Sequence, residues 1–184
     1  MTKEIFSCYS KNLLSLWSVE KYEKIFELEI NDIYTLEYLD GNNFAAGMDD
    51  NSINIFNIFD TKMRHTKKLL GSSEIISCIK KIDEKYIITG NYGGDLIVWD
   101  LIKLDLFFSI KNAHLYKINS IIKLNDGSFA TCSNDKTIKI WNLHKRINFL
   151  TFSEAHEKAI KNLIQLNNGI LVSTGKDSLI KLWN

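Results

Sequence analysis

Proline is absent from the sequence, and glycine accounts for only nine of its 184 residues. Turns must therefore be recognised from asparagine, aspartate and the few glycines, because the strongest breaker of secondary structure is missing. Apolar runs are short as well: none approaches the ~18 residues of a membrane-spanning helix. The N-terminal stretch MTKEIFSCYSKNLLSLW also lacks the continuous apolar segment of a signal peptide. We therefore expect no membrane association and an intracellular location, cytoplasmic or nuclear.

Cysteine is scarce too, and the spacing of the cysteines argues against both a disulfide-stabilised domain and a zinc-binding domain. Cys8, Cys78 and Cys132 are odd in number and far apart, which favours reduced thiols over a disulfide framework. No C-x-x-C or H-E-x-x-H spacing occurs, so we expect no metal site.

The sequence also lacks an excess of either charge, since its net charge is only +1. A domain that binds nucleic acid usually carries a basic excess or a basic stripe, because it must neutralise phosphates. The charge balance therefore argues against nucleic acid as the main partner.

What the sequence does contain is a repeat marked by its tryptophans. Trp99, Trp141 and Trp183 follow one another at intervals of 42 residues, and Phe56 takes the same place 43 residues before Trp99. A partial copy, CYSKNLLSLWS, ends its apolar segment at Trp17. All four tryptophans of the chain therefore occupy one repeat position, which chance does not explain.

Each repeat reads as a set of short strands. Segments such as INSIIKL, SFATC and TIKIW alternate apolar and polar residues, which is typical of half-buried strands. Polar turns such as NDG and NNG separate them at equivalent positions, and no segment shows a sustained helical period. A unit of ~42 residues with four strands has the size of one propeller blade.

The ends of the repeats carry a resemblance to a known family. A Trp-Asp or Trp-Asn pair ends a strand at Trp99-Asp100, Trp141-Asn142 and Trp183-Asn184. An Ala-His pair precedes two of these strands, at Ala113-His114 and Ala155-His156. In these features the chain resembles the WD-repeat β-propellers. The resemblance implies an all-β fold of about four to five blades that form an incomplete, open propeller.

The predicted blades divide one WD-repeat domain, residues 1–184. They are a partial blade at 1–30, blade one at 31–70, blade two at 71–112, blade three at 113–153, and blade four at 154–184, which lacks its last strand. Closure into a four-bladed ring is inconsistent with this division, because residues 5–18 would duplicate strands that residues 170–184 already supply. Three arrangements remain: a fragment of a longer propeller, a ring completed by another chain, or a stable open arc.

The resemblance also implies a buried hydrogen-bonded set in each blade. Its members are His114, Thr131, Asp135 and Trp141 in blade three, and His156, Ser173, Asp177 and Trp183 in blade four; the weaker counterparts are Ser72, Thr89, Gly93 and Trp99, then Glu29, Ala46, Asp50 and Phe56. A hydrolase triad uses the same residue types as blade four. The set recurs in blade three, however, and no G-x-S-x-G motif accompanies it. We therefore expect a structural network, no catalytic residue and no cofactor.

The function implied by the resemblance is that of a non-catalytic protein-interaction scaffold that binds a peptide or a partner domain through blade-rim turns. Candidate contact residues are Tyr92, Tyr116, Lys117, Asn134, Lys158 and Lys176; the alternative interpretation is that they are ordinary solvated turn residues. A second hypothesis is a truncated or partial segment of a larger WD-repeat protein, attached to an enzymatic or regulatory domain. A third is an RNA-binding propeller. For an open arc, we also consider self-association or completion of the ring by another chain.

Overall fold

The computed structural model describes residues 5–10, 13–18, 21–29, 32–59 and 62–184, and within these ranges the regular elements are all β-strands. They follow one another as β1 Ile5–Ser10, β2 Leu13–Ser18, β3 Glu23–Glu29, β4 Ile33–Asp40, β5 Asn43–Met48, β6 Ile53–Phe59, β7 Lys62–Leu69, β8 Ile76–Lys81, β9 Tyr86–Asn91, β10 Leu96–Asp100, β11 Asp105–Ile110, β12 Ile118–Lys123, β13 Phe129–Ser133, β14 Ile138–Asn142, β15 Ile147–Phe152, β16 Ile160–Gln165, β17 Leu171–Gly175 and β18 Ile180–Trp183. The all-β prediction is confirmed.

The strands form antiparallel sheets in which chain neighbours are also spatial neighbours. The sheets are β1–β3, β4–β7, β8–β11, β12–β15 and β16–β18. The first and last have three strands each and the middle ones have four. Each sheet lies within one of the predicted blades. The prediction that residues 1–184 make up one domain is not tested by this arrangement and stays a prediction.

An irregularity in strand pairing recurs with the repeat. The register between the strand that carries the aromatic anchor and the strand after it shifts immediately before the anchor, at Trp17, Phe56, Trp99 and Trp141. Such bulges bend a strand and increase its twist. The aromatic residue thus occupies the same bent position in these four sheets.

The hydrophobic core lies between neighbouring blades. One cluster joins Ile53 and Ile55 of blade one to Trp99 of blade two, and a second joins Leu96 of blade two to Trp141 of blade three. A third cluster joins blade three to blade four. Each of these side chains contributes roughly 1.5–3 kcal/mol through removal from water, so blades stabilise one another in chain order, as in repeat proteins.

The arc is open at blade four. Ile138 and Ile140 of blade three are 0% and 6% exposed, because blade four covers them. Their counterparts Ile180 and Leu182 in blade four are 68% and 64% exposed. The prediction of an incomplete, open propeller is confirmed. Within the described ranges no helix is long and apolar enough to span a membrane.

Candidate functional site

One backbone hydrogen bond builds the same edge in blades one to four. In each blade, a backbone N–H in the turn between the second and third strands donates to the carbonyl of the residue that directly precedes the first strand. The bonds are Asp49 N to Asp32 O at 3.0 Å, Tyr92 N to Ile75 O at 3.0 Å, Asn134 N to Lys117 O at 3.0 Å and Lys176 N to Ala159 O at 2.8 Å. We call these residues, with the described residues up to two positions away from each of them, the rim. The side chains predicted to contact a partner therefore lie at equivalent places.

Tyr92 contacts two neighbours on the rim. Its ring meets the ring of Tyr34 edge-on, with centroids 6.2 Å apart, and Lys117 Nζ lies 4.0 Å from its centroid. The tyrosine is still 39% exposed. Its ring is thus contacted by two neighbours and remains partly accessible.

Tyr116 stands apart from this arrangement. It is 63% exposed, and its carbonyl accepts a hydrogen bond from Ser133 Oγ at 2.9 Å. Among the ring contacts of the described residues, none joins Tyr116 to Tyr92. The two predicted anchors therefore lie on the same rim without a ring contact between them.

Asn134 takes part in a link between blades. Its Oδ1 accepts a hydrogen bond from Asn119 Nδ2 at 2.8 Å. The Asn119 side-chain amide also donates to Ile160 O of the next blade at 2.6 Å. Ser77 makes the equivalent bond one blade earlier, to Ile118 O at 2.6 Å. Asn134 is half-buried, so part of its hydrogen-bonding capacity is already used inside the protein.

The rim is basic over blades three and four. Lys158, Lys161 and Lys176 are exposed, and the ion pairs found among the described residues do not include them or Lys117. Partial burial, together with the positive charges of Lys176 and Lys117, lowers the pKa of Lys161. Sequence reasoning missed Lys161, although it occupies the same repeat position as Tyr34 and Asn119.

Inside blade three, the predicted polar set is connected. His114 Nδ1 lies 2.9 Å from Asp135 Oδ2, and His114 Nε2 lies 2.7 Å from Thr131 Oγ1. Trp141 Nε1 donates to the same hydroxyl oxygen at 2.8 Å. Because the indole can only donate, the hydroxyl donates in turn to Nε2, and Nδ1–H donates to the carboxylate.

Burial and charge set the protonation of this pair. Burial lowers the pKa of His114 more strongly than Asp135 raises it. Burial alone would raise the pKa of Asp135, but the hydrogen bond from His114, together with the charge that His114 carries once it is protonated in acid, holds this pKa well below its ordinary range. Asp135 also accepts the backbone N–H of Leu115 at 3.0 Å and the hydroxyl of Thr137 at 2.7 Å. A neutral imidazole therefore bridges a carboxylate and a hydroxyl.

Blade four repeats the geometry and shows why it is a poor hydrolase triad. His156 lies 2.9 Å from Asp177 and 2.7 Å from Ser173 Oγ, which accepts the indole N–H of Trp183 at 2.9 Å. His156 and Ser173 are both 0% exposed. A nucleophile must reach its substrate, and this hydroxyl is closed off from solvent. The arrangement serves to satisfy buried polar groups.

The comparisons with known proteins agree with this geometry. Residues 107–142 match the family model described as WD domain, G-beta repeat. The chain has the fold of the WD-repeat β-propellers. A solved structure, titled "Crystal structure of WD40 beta propeller domain of Doa1", superposes with a TM-score of 0.83 at 16% identity, covering 98% of this chain and 60% of that one. No curated protein sequence matches the chain.

The chain thus spans 60% of the length of the solved propeller domain that it matches. The predicted resemblance to the WD-repeat family is confirmed by the family model and the fold. WD40 propellers generally bind other proteins and are generally non-catalytic.

Blade two rearranges the polar set. Trp99 Nε1 still donates to Thr89 Oγ1 at 2.9 Å. Gly93 has no side chain at the position of the turn aspartate, and the buried carboxylate of this turn is Asp95, two residues later. It accepts Lys111 Nζ at 2.7 Å and the backbone N–H of Asn112 at 2.9 Å. Burial opposes the shift, but these bonds lower the pKa of Asp95.

In blade one the indole donor and its hydroxyl acceptor are both absent. Phe56 and Ala46 are 6% and 0% exposed and carry no side-chain hydrogen-bonding group. Replacing both partners by apolar groups leaves nothing unpaired. The departure of blade one from the repeat pattern is therefore self-consistent.

The cysteines are packing residues where the structure describes them. Cys78 and Cys132 are buried free thiols. Burial raises the pKa of Cys78 to about 12, which keeps it protonated and unreactive. The side chain of Cys8 lies outside the described residues. Within the described part of the chain, no cluster of three or more potential metal ligands occurs.

Proposed function

We propose that the chain is a non-catalytic interaction scaffold that binds a peptide or a partner domain through its rim. The supporting observation is the recurring hydrogen bond from turn to strand, which presents a different side chain from the same place in each of four blades. Such a surface is rigid in its backbone and variable in its chemistry. Preorganisation of this kind lowers the entropic cost of binding.

Tyr92 and Tyr116 are the proposed aromatic anchors, and Lys117, Asn134, Lys158 and Lys176 the polar contacts around them. Aromatic residues are enriched among the side chains that dominate binding energy. Tyr92 is held by Tyr34 and Lys117, so it loses little side-chain freedom on binding. Tyr116, which lies just before the first strand of the next blade, contributes further exposed aromatic surface.

The experiment is quantitative affinity capture with the purified chain as bait. Three baits are compared: the wild-type chain, the double variant Tyr92→Ala/Tyr116→Ala, and the control Tyr38→Ala. Tyr38 is also half-exposed but lies near the opposite end of its strand. Proteins that bind the rim are lost from the double variant and kept by the control. Equal capture by all three baits would show that the rim is not the binding surface.

A second candidate is that the arc is a segment of a larger WD-repeat protein, with an enzymatic or regulatory domain attached. The exposed Ile180 and Leu182 on the free face of blade four support it, since exposed apolar sheet faces favour association. Measurement of the solution mass separates the arrangements. Aggregation favours a segment, a defined dimer favours ring completion by another chain, and a monomer favours a self-sufficient arc.

A further inference from the structure

We propose that the rim over blades three and four is a binding site for an acidic peptide segment, whose carboxylate or phosphate groups are held by Lys117, Lys161 and Lys176. The inference rests on the proposed scaffold function and names the chemistry of its partner. It depends on the positions of these lysines, on the absence of ion-pair partners for them among the described residues, and on the negative charge at the other end of the rim.

Hydrogen bonds within blades three and four, and one between them, place the three lysines around one junction. The carbonyl of Lys117 accepts the N–H of Asn134, and the side chain of Asn134 accepts Asn119. Asn119 in turn donates to Ile160 O at 2.6 Å, directly before Lys161. Lys176 is tied to Ala159 O at 2.8 Å. A continuous set of contacts therefore connects Lys117, Lys161 and Lys176.

The charges at this junction are uncompensated within the described part of the chain. Lys68 and Lys111 each pair with an aspartate elsewhere on the arc, whereas the junction lysines have no such partner among the described residues. The nearest turn carboxylates, Asp135 and Asp177, are occupied by buried histidines. The lowered pKa of Lys161 reports the same crowding, through partial burial and the charges of Lys176 and Lys117. A bound anion relieves that repulsion.

The other end of the rim has the opposite sign. Asp32, Asp49 and Glu74 are exposed there, and a side chain added at Gly93 would meet Glu74 at 3.2 Å, which places Glu74 beside the Tyr92 turn. A nucleic acid that follows the rim would meet these carboxylates and be repelled, since its charge is uniform. A peptide can carry acidic groups at one end only. Charge complementarity therefore favours a peptide over RNA.

Tyr92 lies at the border between the two charge regions. Lys117 Nζ is 4.0 Å from its ring centroid, so the tyrosine contacts a lysine of the site and still exposes part of its own ring. An acidic group on Lys117 and an apolar group on Tyr92 would then be recognised side by side.

The test measures fluorescence anisotropy of labelled probes with the purified chain: a short polyglutamate, a phosphoserine peptide of equal length, a polylysine and poly(U) RNA. Lys161→Glu and Lys176→Glu are compared with Lys123→Glu, which makes the same charge change about 20 Å away at the far end of β12. All three lysines are exposed, so the variants should fold. We expect polyglutamate or the phosphopeptide to bind, each rim variant to weaken it about tenfold, and Lys123→Glu to change it less than about twofold.

Three results would overturn the proposal: no binding of either acidic peptide, equal weakening by Lys123→Glu, or tighter binding of poly(U) that depends on Lys161. The difference between the two acidic probes shows whether carboxylate or phosphate is preferred. Affinity capture with Lys161→Glu as bait separates this inference from the scaffold function. If capture depends on Tyr92 and not on Lys161, the scaffold stands and the acidic partner is wrong.

Discussion

Trp141 donates its indole N–H to Thr131 Oγ1 over 2.8 Å in the interior of blade three. The same oxygen lies 2.7 Å from His114 Nε2, so one hydroxyl serves two buried rings. Thr131→Val keeps the shape of the side chain and removes that hydroxyl. Because two buried groups then lose a partner, we expect the free energy of unfolding to fall by ~1–3 kcal/mol in urea denaturation.

The matched control is Thr151→Val on strand β15. Thr151 is exposed, and its hydroxyl donates only to Asn148 at 2.8 Å. A surface substitution of this kind should stay within about 0.5 kcal/mol of wild type. If Thr131→Val were as harmless as Thr151→Val, the shared hydroxyl would not stabilise the blade.

Coupling between Thr131 and Trp141 gives a second prediction. Trp141→Phe removes the indole donor and some packing, and its cost should be smaller when Thr131 is already valine. A double-mutant cycle should therefore show an interaction energy of about 0.5–3 kcal/mol. The buried pair Phe56 and Ala46 in blade one shows that the protein already accommodates a blade without either group. Additive effects of the two substitutions would mean that the hydrogen bond contributes nothing measurable.

The stability of the chain should fall in acid because of His114. Its pKa in the folded state lies below the ordinary value of 6.5, chiefly through burial, so the unfolded chain takes up the proton first. This contribution is fully present above about pH 6.5 and is lost as the pH falls below it, by up to about 1.4 kcal/mol per pH unit. Asp135, whose folded pKa is also lowered, adds a second loss as the pH falls below its ordinary 3.8.

The measurement compares denaturation midpoints between about pH 7 and pH 5 for three chains. His114→Asn should be less stable than wild type at neutral pH and should show a shallower dependence in this interval. His144→Asn, which changes an exposed histidine outside the buried set, is the matched control. A pH dependence that survives in His114→Asn would assign it to other groups.

The sequence alone was sufficient for the strands and their order, because period-two patterns and one aromatic anchor recur at nearly fixed spacing. The set of His114, Thr131 and Asp135 came instead from the resemblance to the WD-repeat family, and His114 lies within hydrogen-bonding distance of the other two side chains. The sequence was not sufficient for contacts between blades, such as Asn119 to Ile160 and the placement of Lys161, since these depend on how two sheets pack. Asp95 was missed because it lies two residues after the position that the repeat assigns to a turn aspartate.

Turn conformation was hidden for a related reason. The residue at one place of the turn has positive φ in blades one to four, at Asn51, Gly94, Lys136 and Ser178, with φ of 67, 87, 69 and 65°. Glycine is the strongest signal of such a backbone in a sequence, and asparagine is a weaker one. In blades three and four, a lysine and a serine adopt it, and neither residue type signals it.

Gly94 differs from these counterparts in the space around it. A Cβ added there would lie 2.1 Å from the carbonyl oxygen of His114, whose N–H donates to Gly94 O at 2.9 Å. Gly127 has nearly the same φ, +83 against +87°, but nothing within 4 Å of an added Cβ. Gly127→Ala therefore measures the conformational cost alone, roughly 1–2 kcal/mol. Gly94→Ala adds a clash with a backbone atom that cannot move without breaking the bond to His114. We expect it to lose at least about 2 kcal/mol more in urea denaturation, and equal losses in the two variants would contradict this close contact between blades two and three.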